Sequence, residues 1–163
     1  MKKLTKRHKL ALLELAIALV VAVAFFCPRT LSGAMGWSFD PAEMEGVQIL
    51  LQGTGDKAGD DRTITLTPGQ ADYDQLIDLL DSKLYFPYYL NGKQRDITLD
   101  YWVTILFTQP EGKGVRTYAF SGSRAIDTAG EDTRDRTFQL KDGLAFQQAV
   151  LDFLLEQEYT TGE

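Results

Sequence analysis

The chain has 163 residues, of which 44% are hydrophobic and 25% are charged, so it has room for one modest domain and an N-terminal segment. The formal net charge is −6, but residues 1–30 hold six basic side chains and one acidic one, which leaves −11 on residues 31–163. An acidic domain repels nucleic acid phosphates, so nucleic acid is excluded as a partner.

Residues 10–27 form an apolar run that contains a single charge, Glu14. As a helix the run would be roughly 27 Å long, close to the ~30 Å hydrocarbon core of a bilayer. Basic residues precede it. The pattern predicts a cytoplasmic stub over 1–9, a transmembrane signal anchor over 10–27, and a single-pass protein of the cell membrane with its C-terminal domain on the extracytoplasmic side.

The end of this run leaves two other fates open. Phe26 stands where a lipoprotein signal needs a small residue before Cys27, which disfavours a lipid on that cysteine. Residues 32–34, Ser-Gly-Ala, satisfy the small-x-small rule, so cleavage after Ala34 is the alternative to an uncleaved anchor.

The rest of the chain divides into a linker and a domain. Residues 28–44 are rich in Pro, Gly and small polar residues, which is typical of a juxtamembrane linker. The extracytoplasmic domain is predicted over 45–160. Apolar alternation predicts its strands, at 46–52, 62–67, 96–108, 115–120, 123–127 and 136–141.

Two helices are predicted in the domain. The first, over 67–85, begins with Thr67 as N-cap in a capping box with Gln70. Its apolar face is Tyr73, Leu76, Ile77, Leu80 and Leu84. The second spans 142–157 with Asp142 as its cap.

These elements follow the order ββα-βββα. The order predicts an α+β fold, a two-layer sandwich in which an antiparallel sheet of about five strands carries two helices on one face, preceded by one transmembrane helix. Residues 62–85 align without gaps on 136–159, and a Gly-Val strand precedes each, at 46–47 and 114–115. Either the ββα unit is duplicated, or similar strand–cap–helix units converged.

A family resemblance accompanies this layout. A basic stub, an apolar span and a small exported domain, with "TLTPGQADYDQLIDLL" followed by "DYWVTILF", resemble small signal-anchored extracytoplasmic proteins of unknown function typical of Gram-positive bacteria. The resemblance is best over 62–120. Because its motifs are structural, it implies a layout and a location but no catalytic residues.

Three patterns suggest chemistry, and each has a plainer interpretation. The Gly-x-Gly-x-x-Ala pattern over 53–58 leads into a strand rather than a helix, which favours a hairpin loop over a nucleotide site. The acidic segment 127–135 lacks EF-hand spacing, so it is a solvated loop or a weak calcium site. Asp74, Asp78 and Asp81 are typical of the wet side of a helix.

The predicted domain contains neither cysteine nor histidine, since Cys27 and His8 both precede it. We therefore expect no enzyme, no catalytic residue, no metal site and no cofactor. The predicted binding surface is aromatic and either packs on the sheet edge or forms an exposed platform. Its residues are Tyr85, Phe86, Tyr88, Tyr89, Arg95 and Trp102.

Together these features predict a membrane-tethered, extracytoplasmic, non-enzymatic interaction module that contacts the membrane through 10–27 and a protein or cell-wall partner through its domain. The alternative is a ligand-binding accessory domain for cell-wall glycan or peptide, acting through the aromatic loop 85–90 or the open sheet face. On that open face we expect Trp102, Thr104 and Leu106, because Tyr101, Val103, Ile105 and Phe107 alternate with them.

Overall fold

The structure is a computed structural model that describes residues 6–36, 38–88, 99–122, 125–130, 133–158 and 160–161. The described helices are α1 (Lys6–Phe26), α2 (Leu31–Met35), α3 (Ala71–Asp81) and α4 (Gly143–Leu155). The strands are β1 (Gly46–Gly53), β2 (Arg62–Leu66), β3 (Phe86–Pro87), β4 (Tyr101–Thr108), β5 (Val115–Phe120), β6 (Ala125–Gly130), β7 (Thr133–Gln139) and β8 (Thr160–Thr161).

All eight strands belong to one antiparallel sheet with the order β3-β7-β6-β5-β4-β1-β2-β8. The hairpins β1–β2 and β4–β5 form because each pair of alternating segments is joined by a short polar loop. The two edge strands are only two residues long, which leaves little unpaired backbone at either edge.

The predicted fold class is wrong in its element count and in its membrane helix. The described residues form eight strands rather than about five, and four α-helices rather than two plus an anchor. The missed strands include β3 and β8, which are too short to show alternation. The observed order is therefore ββα-βββββ-αβ within residues 46–161.

The N-terminal helix α1 is exposed along its length, and its large apolar side chains from Leu10 to Phe26 lie at the surface. Within the described part of the chain, no helix combines the length and the apolar character that crossing a membrane requires. The predicted transmembrane signal anchor over 10–27 and the single-pass membrane location are therefore wrong. Glu14 interrupts the run, and the uncharged part that follows it within α1 spans roughly 18 Å, against the ~30 Å of a hydrocarbon core.

Residues 28–44 are part of the packed structure rather than a linker. The backbone of Arg29 exchanges two hydrogen bonds with Tyr85, at 2.8 and 2.9 Å, and Leu31 N–H donates to Asp81 Oδ1 at 3.2 Å. The segment contributes five buried side chains to the core: Leu31, Ala34, Met35, Phe39 and Met44. A cut after Ala34 would fall inside α2, at a carbonyl that accepts from Thr128 Oγ1 at 3.1 Å.

The core lies between one face of the sheet and the helices α2, α3 and α4. Tyr101, Val103, Ile105 and Phe107 point into it from β4, as their alternation predicts. The helices supply Leu31, Met35, Tyr73, Leu76, Leu80, Phe146, Val150, Leu151 and Leu154. One connected apolar cluster thus covers one side of the sheet.

Helix α3 begins three residues later than predicted, with Gln70 rather than Thr67 as its N-cap and Ala71 as its first residue. Residues 67–70 form a turn in which Gly69 has φ +86°, a conformation that suits glycine and ends the expected capping geometry. The Gln70 side chain accepts from the Thr67 N–H at 3.0 Å, as in a capping box, but it does so ahead of the helix. Leu84 lies beyond α3 and is exposed, whereas Tyr73, Leu76 and Leu80 are buried.

The two strand–helix segments occupy corresponding places in the sheet. With an offset of 74, β2-α3-β3 corresponds to β7-α4-β8, and β3 pairs with β7 while β8 pairs with β2. The Gly-Val pair at 114–115 begins β5 rather than the strand before β7, so the Gly-Val correspondence fails.

Candidate functional site: the open face of the sheet

Within the described residues, the helices α2, α3 and α4 cover one side of the sheet, and the other side is the candidate functional site. Alternate residues of a strand point to opposite faces, and residues paired across antiparallel strands point to the same face. We call the uncovered side the open face. Its described members are Gln48, Leu50, Gln52, Thr63, Thr65, Phe86, Tyr88, Trp102, Thr104, Leu106, Thr108, Val115, Thr117, Ala119, Ala125, Asp127, Ala129, Asp135, Thr137 and Gln139.

The register joins these residues into rows that cross the sheet. One row crosses six strands, through Thr63, Leu50, Thr104, Ala119, Asp127 and Thr137. A second passes through Thr65, Gln48, Leu106, Thr117 and Ala129. Small and β-branched side chains dominate both rows, which makes the middle of the open face low in relief.

Aromatic side chains lie at one end of the open face. Trp102 is half-buried and donates its indole N–H to the Phe120 carbonyl at 2.8 Å, which fixes the ring on the sheet. Phe86 is 39% exposed and pairs with Gln139, and the backbone of Tyr88 continues this ladder by donating to Thr137 O at 2.9 Å. Phe86 and Trp102 lie four strand spacings apart, about 19 Å.

The open face is almost uncharged. Its described acidic members are Asp127 and Asp135, and the Asp127 carboxylate accepts from Thr137 Oγ1 at 2.7 Å. The helical side contrasts with it, because α3 exposes Asp72, Asp74, Asp78 and Asp81 and contains no basic residue. The single helix α3 therefore exposes twice as many acidic side chains as the described part of the open face.

The predicted aromatic surface divides between the core and the open face. Tyr85 is fully buried, its hydroxyl donates to Leu80 O at 2.6 Å and lies 3.3 Å from the Tyr118 hydroxyl, and burial raises the pKa of both phenols. Tyr85 therefore packs instead of binding. Phe86, Tyr88 and Trp102 reach the open face. Tyr89 and Arg95 lie outside the described residues.

The loop between β1 and β2 is a hairpin loop, as the absence of a following helix predicts. A Cβ on Gly53 would overlap the Lys57 carbonyl, so the tight path of the loop accounts for a glycine there. At its end, Asp60 accepts from Arg62 Nε at 3.1 Å and from Arg62 Nη2 at 2.8 Å. Tyr101 Oη also donates to this carboxylate.

This cluster was missed from the sequence because Tyr101, in β4, lies 41 positions from Asp60 in the loop before β2. The Arg62 hydrogen bonds, followed by that of Tyr101, lower the pKa of Asp60 to about 2. The Arg62 guanidinium also lies 5.2 Å from the centre of the Tyr101 ring. The arrangement ties the loop to the start of β4.

Acidic residues elsewhere do not gather into a metal site within the described ranges, where no group of three or more His, Cys, Asp or Glu is placed to hold an ion. Of the segment 127–135, Asp127 lies in β6 and Asp135 is exposed in β7, while residues 131–132 fall outside the description. Asp81 serves α2 by accepting from Leu31 N–H.

Arg116 is a second residue that sequence reasoning missed. It occupies a core position of β5 and is 1% exposed. Its guanidinium donates to Met35 O at 2.6 Å and to Ser38 Oγ at 2.6 Å. With its amide turned to suit both neighbours, Gln109 accepts from Arg116 Nε at 3.2 Å. Alternation could have flagged it, because Arg116 stands in phase with Tyr118 and Phe120.

No protein-family model, no curated protein and no solved structure matches the chain. The geometry of the described residues therefore carries the functional argument.

Proposed function

We propose that the protein is a non-enzymatic interaction module that binds another protein through the open face. The observation that carries the proposal is the wide, nearly uncharged face that the helices leave uncovered in a chain of net charge −6. Antiparallel sheets with a solvent face commonly alternate apolar residues with charged and polar ones. Here the polar residues of the solvent side are almost all uncharged threonines and glutamines, and alanine, leucine and tryptophan lie among them.

The composition of the open face supports protein binding. The centres of protein interfaces are depleted of charged residues and enriched in aromatic ones. Leu50, Leu106 and Trp102 are half-buried, and Leu50 lies opposite Thr104 and diagonally next to both Leu106 and Trp102, which gives the face an apolar centre. A partner that covers these side chains would gain the free energy of removing their apolar surface from water, about 25 cal/mol per Å².

The chemistry of the chain supports the non-enzymatic part of the proposal. Its one histidine lies in α1, and Cys27 follows α1 directly. The ion pair of Asp60 with Arg62 joins a loop to a strand. The buried Arg116 donates hydrogen bonds to the Met35 carbonyl and to the Ser38 hydroxyl. Each of these polar groups has an evident part in holding the fold together.

A glycan or peptide ligand is the second candidate. The exposed ring of Phe86 and the half-buried ring of Tyr88 lie on the same side of the sheet as Trp102, and aromatic rings at a sheet surface suit flat ligands. The burial of Tyr85 removes one ring from that platform. The continuous rows of the open face therefore favour the protein partner.

Site-specific photo-crosslinking in cells that produce the protein tests the proposal. A photoreactive phenylalanine analogue replaces Thr104 at the centre of the open face, and the control carries it at the exposed Gln75 of α3. We expect a discrete protein adduct from position 104 only, and its loss in a Leu106→Glu background. Adducts of equal yield from both positions, or none from position 104, would contradict the proposal.

Retention of the protein on a matrix of isolated glycans or peptides tests the ligand candidate. If Phe86→Ala and Tyr88→Ala together abolish retention on a glycan matrix while the position 104 adduct is absent, the second candidate replaces the first.

A further inference from the structure

We infer that the partner on the open face is a second copy of this chain, and that the two copies pack sheet against sheet. The inference rests on the proposed function and names its partner. The open face of one copy would contact the same face of the other, which is the isologous arrangement of a two-fold dimer.

The size of the open face fits a stable dimer. Six strands, from β7 to β2, contribute to it along most of their length, and β3 and β8 extend it at the edges. With strand spacings of about 4.8 Å and about six residues per strand, the face projects roughly 550–700 Å². Each partner in a standard interface buries about 800 Å², and protruding side chains raise the contact area above the projection.

The distribution of acidic residues favours the open face over the helical side for self-association. Two copies of an acidic chain repel each other wherever acids meet, and α3 alone exposes four aspartates on the helical side. Sheet-on-sheet packing places the two helical layers outward, roughly 30 Å apart for layers spaced about 10 Å. That distance exceeds the Debye length of ~8 Å at physiological ionic strength, so the repulsion is largely screened.

Charge also disfavours a basic partner on this face. A basic protein would be attracted to the four aspartates of α3 rather than to a surface whose described members include two acids, Asp127 and Asp135. A low-relief face that is rich in threonine and alanine instead suits another sheet. Aligned sheets then interdigitate their side chains, with Leu50, Leu106 and Trp102 filling the space between them.

Cysteine crosslinking of the full chain tests the inference. Because Cys27 is the one native cysteine, its replacement leaves a single introduced thiol in each variant. In a Cys27→Ser background, Thr104→Cys and Ala119→Cys place one thiol on the open face, while Gln75→Cys places it on the helical side. Under mild oxidation we expect covalent dimers from positions 104 and 119 and monomer from position 75. Equal dimer yields from all three positions, or none from the open face, would overturn the inference.

Sedimentation of charge variants provides the second readout. Leu106→Glu should weaken association at least about tenfold, whereas Gln75→Glu adds the same charge on the helical side and should leave it unchanged. Thr117→Glu repeats the test at a neighbouring open-face position if Leu106→Glu fails to fold, as judged by circular dichroism.

The two proposals fail in different ways. A photo-adduct between position 104 and a different protein, without disulfide dimers, overturns the dimer and leaves the interaction module standing. If neither kind of crosslink forms at the open face, both proposals fall.

Discussion

The hydroxyl of Tyr101 donates to the carboxylate of Asp60, although 41 positions separate the two residues along the chain. Asp60 lies near the end of the loop between β1 and β2, and Tyr101 begins β4. Together with the bidentate hydrogen bonds from Arg62, this contact holds the loop against the end of the central strands. Its electrostatic consequence is an Asp60 pKa of about 2.

The depressed pKa predicts that Asp60 contributes to acid sensitivity. The Asp60 carboxylate stabilises the fold above the unfolded pKa of about 3.9, and this contribution is lost as the pH falls through the folded value of about 2. Asp60→Asn should therefore be less stable than the parent at pH 6, and the difference should shrink between pH 4 and pH 2. Urea unfolding across this range measures it.

The control for that experiment is Asp56→Asn, which removes an exposed carboxylate from the same loop. An acid profile of Asp60→Asn that runs parallel to the parent down to pH 2 would show that the contact with Arg62 and Tyr101 has no energetic consequence.

At the alkaline end, Tyr73 predicts the opposite dependence. Burial, reinforced by the charges of Asp74 and Asp40, raises the pKa of Tyr73 to about 12, and its hydroxyl donates to Pro41 O at 2.6 Å. The unfolded phenol ionises near pH 10, so the unfolded chain releases its proton first and the free energy of unfolding falls as the pH rises from 10 to 12.

Tyr73→Phe should accordingly lose about 1 kcal/mol at neutral pH with the hydrogen bond, and should decline less steeply than the parent from pH 10 to 12. Urea unfolding at a series of pH values gives both quantities. Tyr88→Phe, which removes a phenol from the open face, is the control. Equal slopes in Tyr73→Phe and the parent would rule out this role for Tyr73.

The burial of Arg116 predicts that a substitution of similar volume lowers the free energy of unfolding. Arg116→Met roughly preserves the side-chain volume in the core but removes the guanidinium that donates to the Met35 carbonyl at 2.6 Å. We expect a loss of about 1–3 kcal/mol in the free energy of unfolding and faster amide exchange over residues 34–39. Lys113→Met removes one exposed positive charge and should change stability by less than about 0.5 kcal/mol. Equal effects of the two substitutions would contradict the anchoring role.

Much of the sheet could be predicted from the sequence because alternation reports which residues share a face. The pattern over 101–108 places Trp102, Thr104 and Leu106 on the open face, and the structure confirms this placement. The edge strands could not be predicted, since the two residues of β3 contain no periodicity. They exist because the neighbouring strands offer unpaired backbone groups, which is a tertiary cause.

The packing of residues 28–44 could not be predicted from their composition, although their spacing indicates it. Glycine and proline made residues 28–44 look like a linker, although Leu31, Met35 and Phe39 recur every four residues and all three are buried. The role of Arg116 could not be predicted either, because the acceptors of its guanidinium, such as Met35 O, are distant in sequence.

The segment before β1 therefore gives a sharp prediction. Phe39 packs edge-on against Phe107 with ring centres 5.0 Å apart, and both rings are buried. Phe39→Ala should cost about 3–5 kcal/mol, whereas a true linker residue would tolerate the change. Thermal or urea unfolding measures the loss. Ala42→Gly, at an exposed site in the same segment, is the control, and a cost for Phe39→Ala no larger than for Ala42→Gly would restore the linker interpretation.

Adjacent residues of β4 provide the test that separates folding from binding. Ile105 is fully buried, so Ile105→Glu places an unpaired carboxylate in the core and should cost more than about 4 kcal/mol. Leu106 points to the open face and is half-buried, so Leu106→Glu should cost about 1 kcal/mol or less and preserve the circular dichroism spectrum. The same variant should lose the position 104 photo-adduct. If Leu106→Glu unfolds the chain as Ile105→Glu does, Leu106 is needed by the fold itself, and the open face is not a free binding surface.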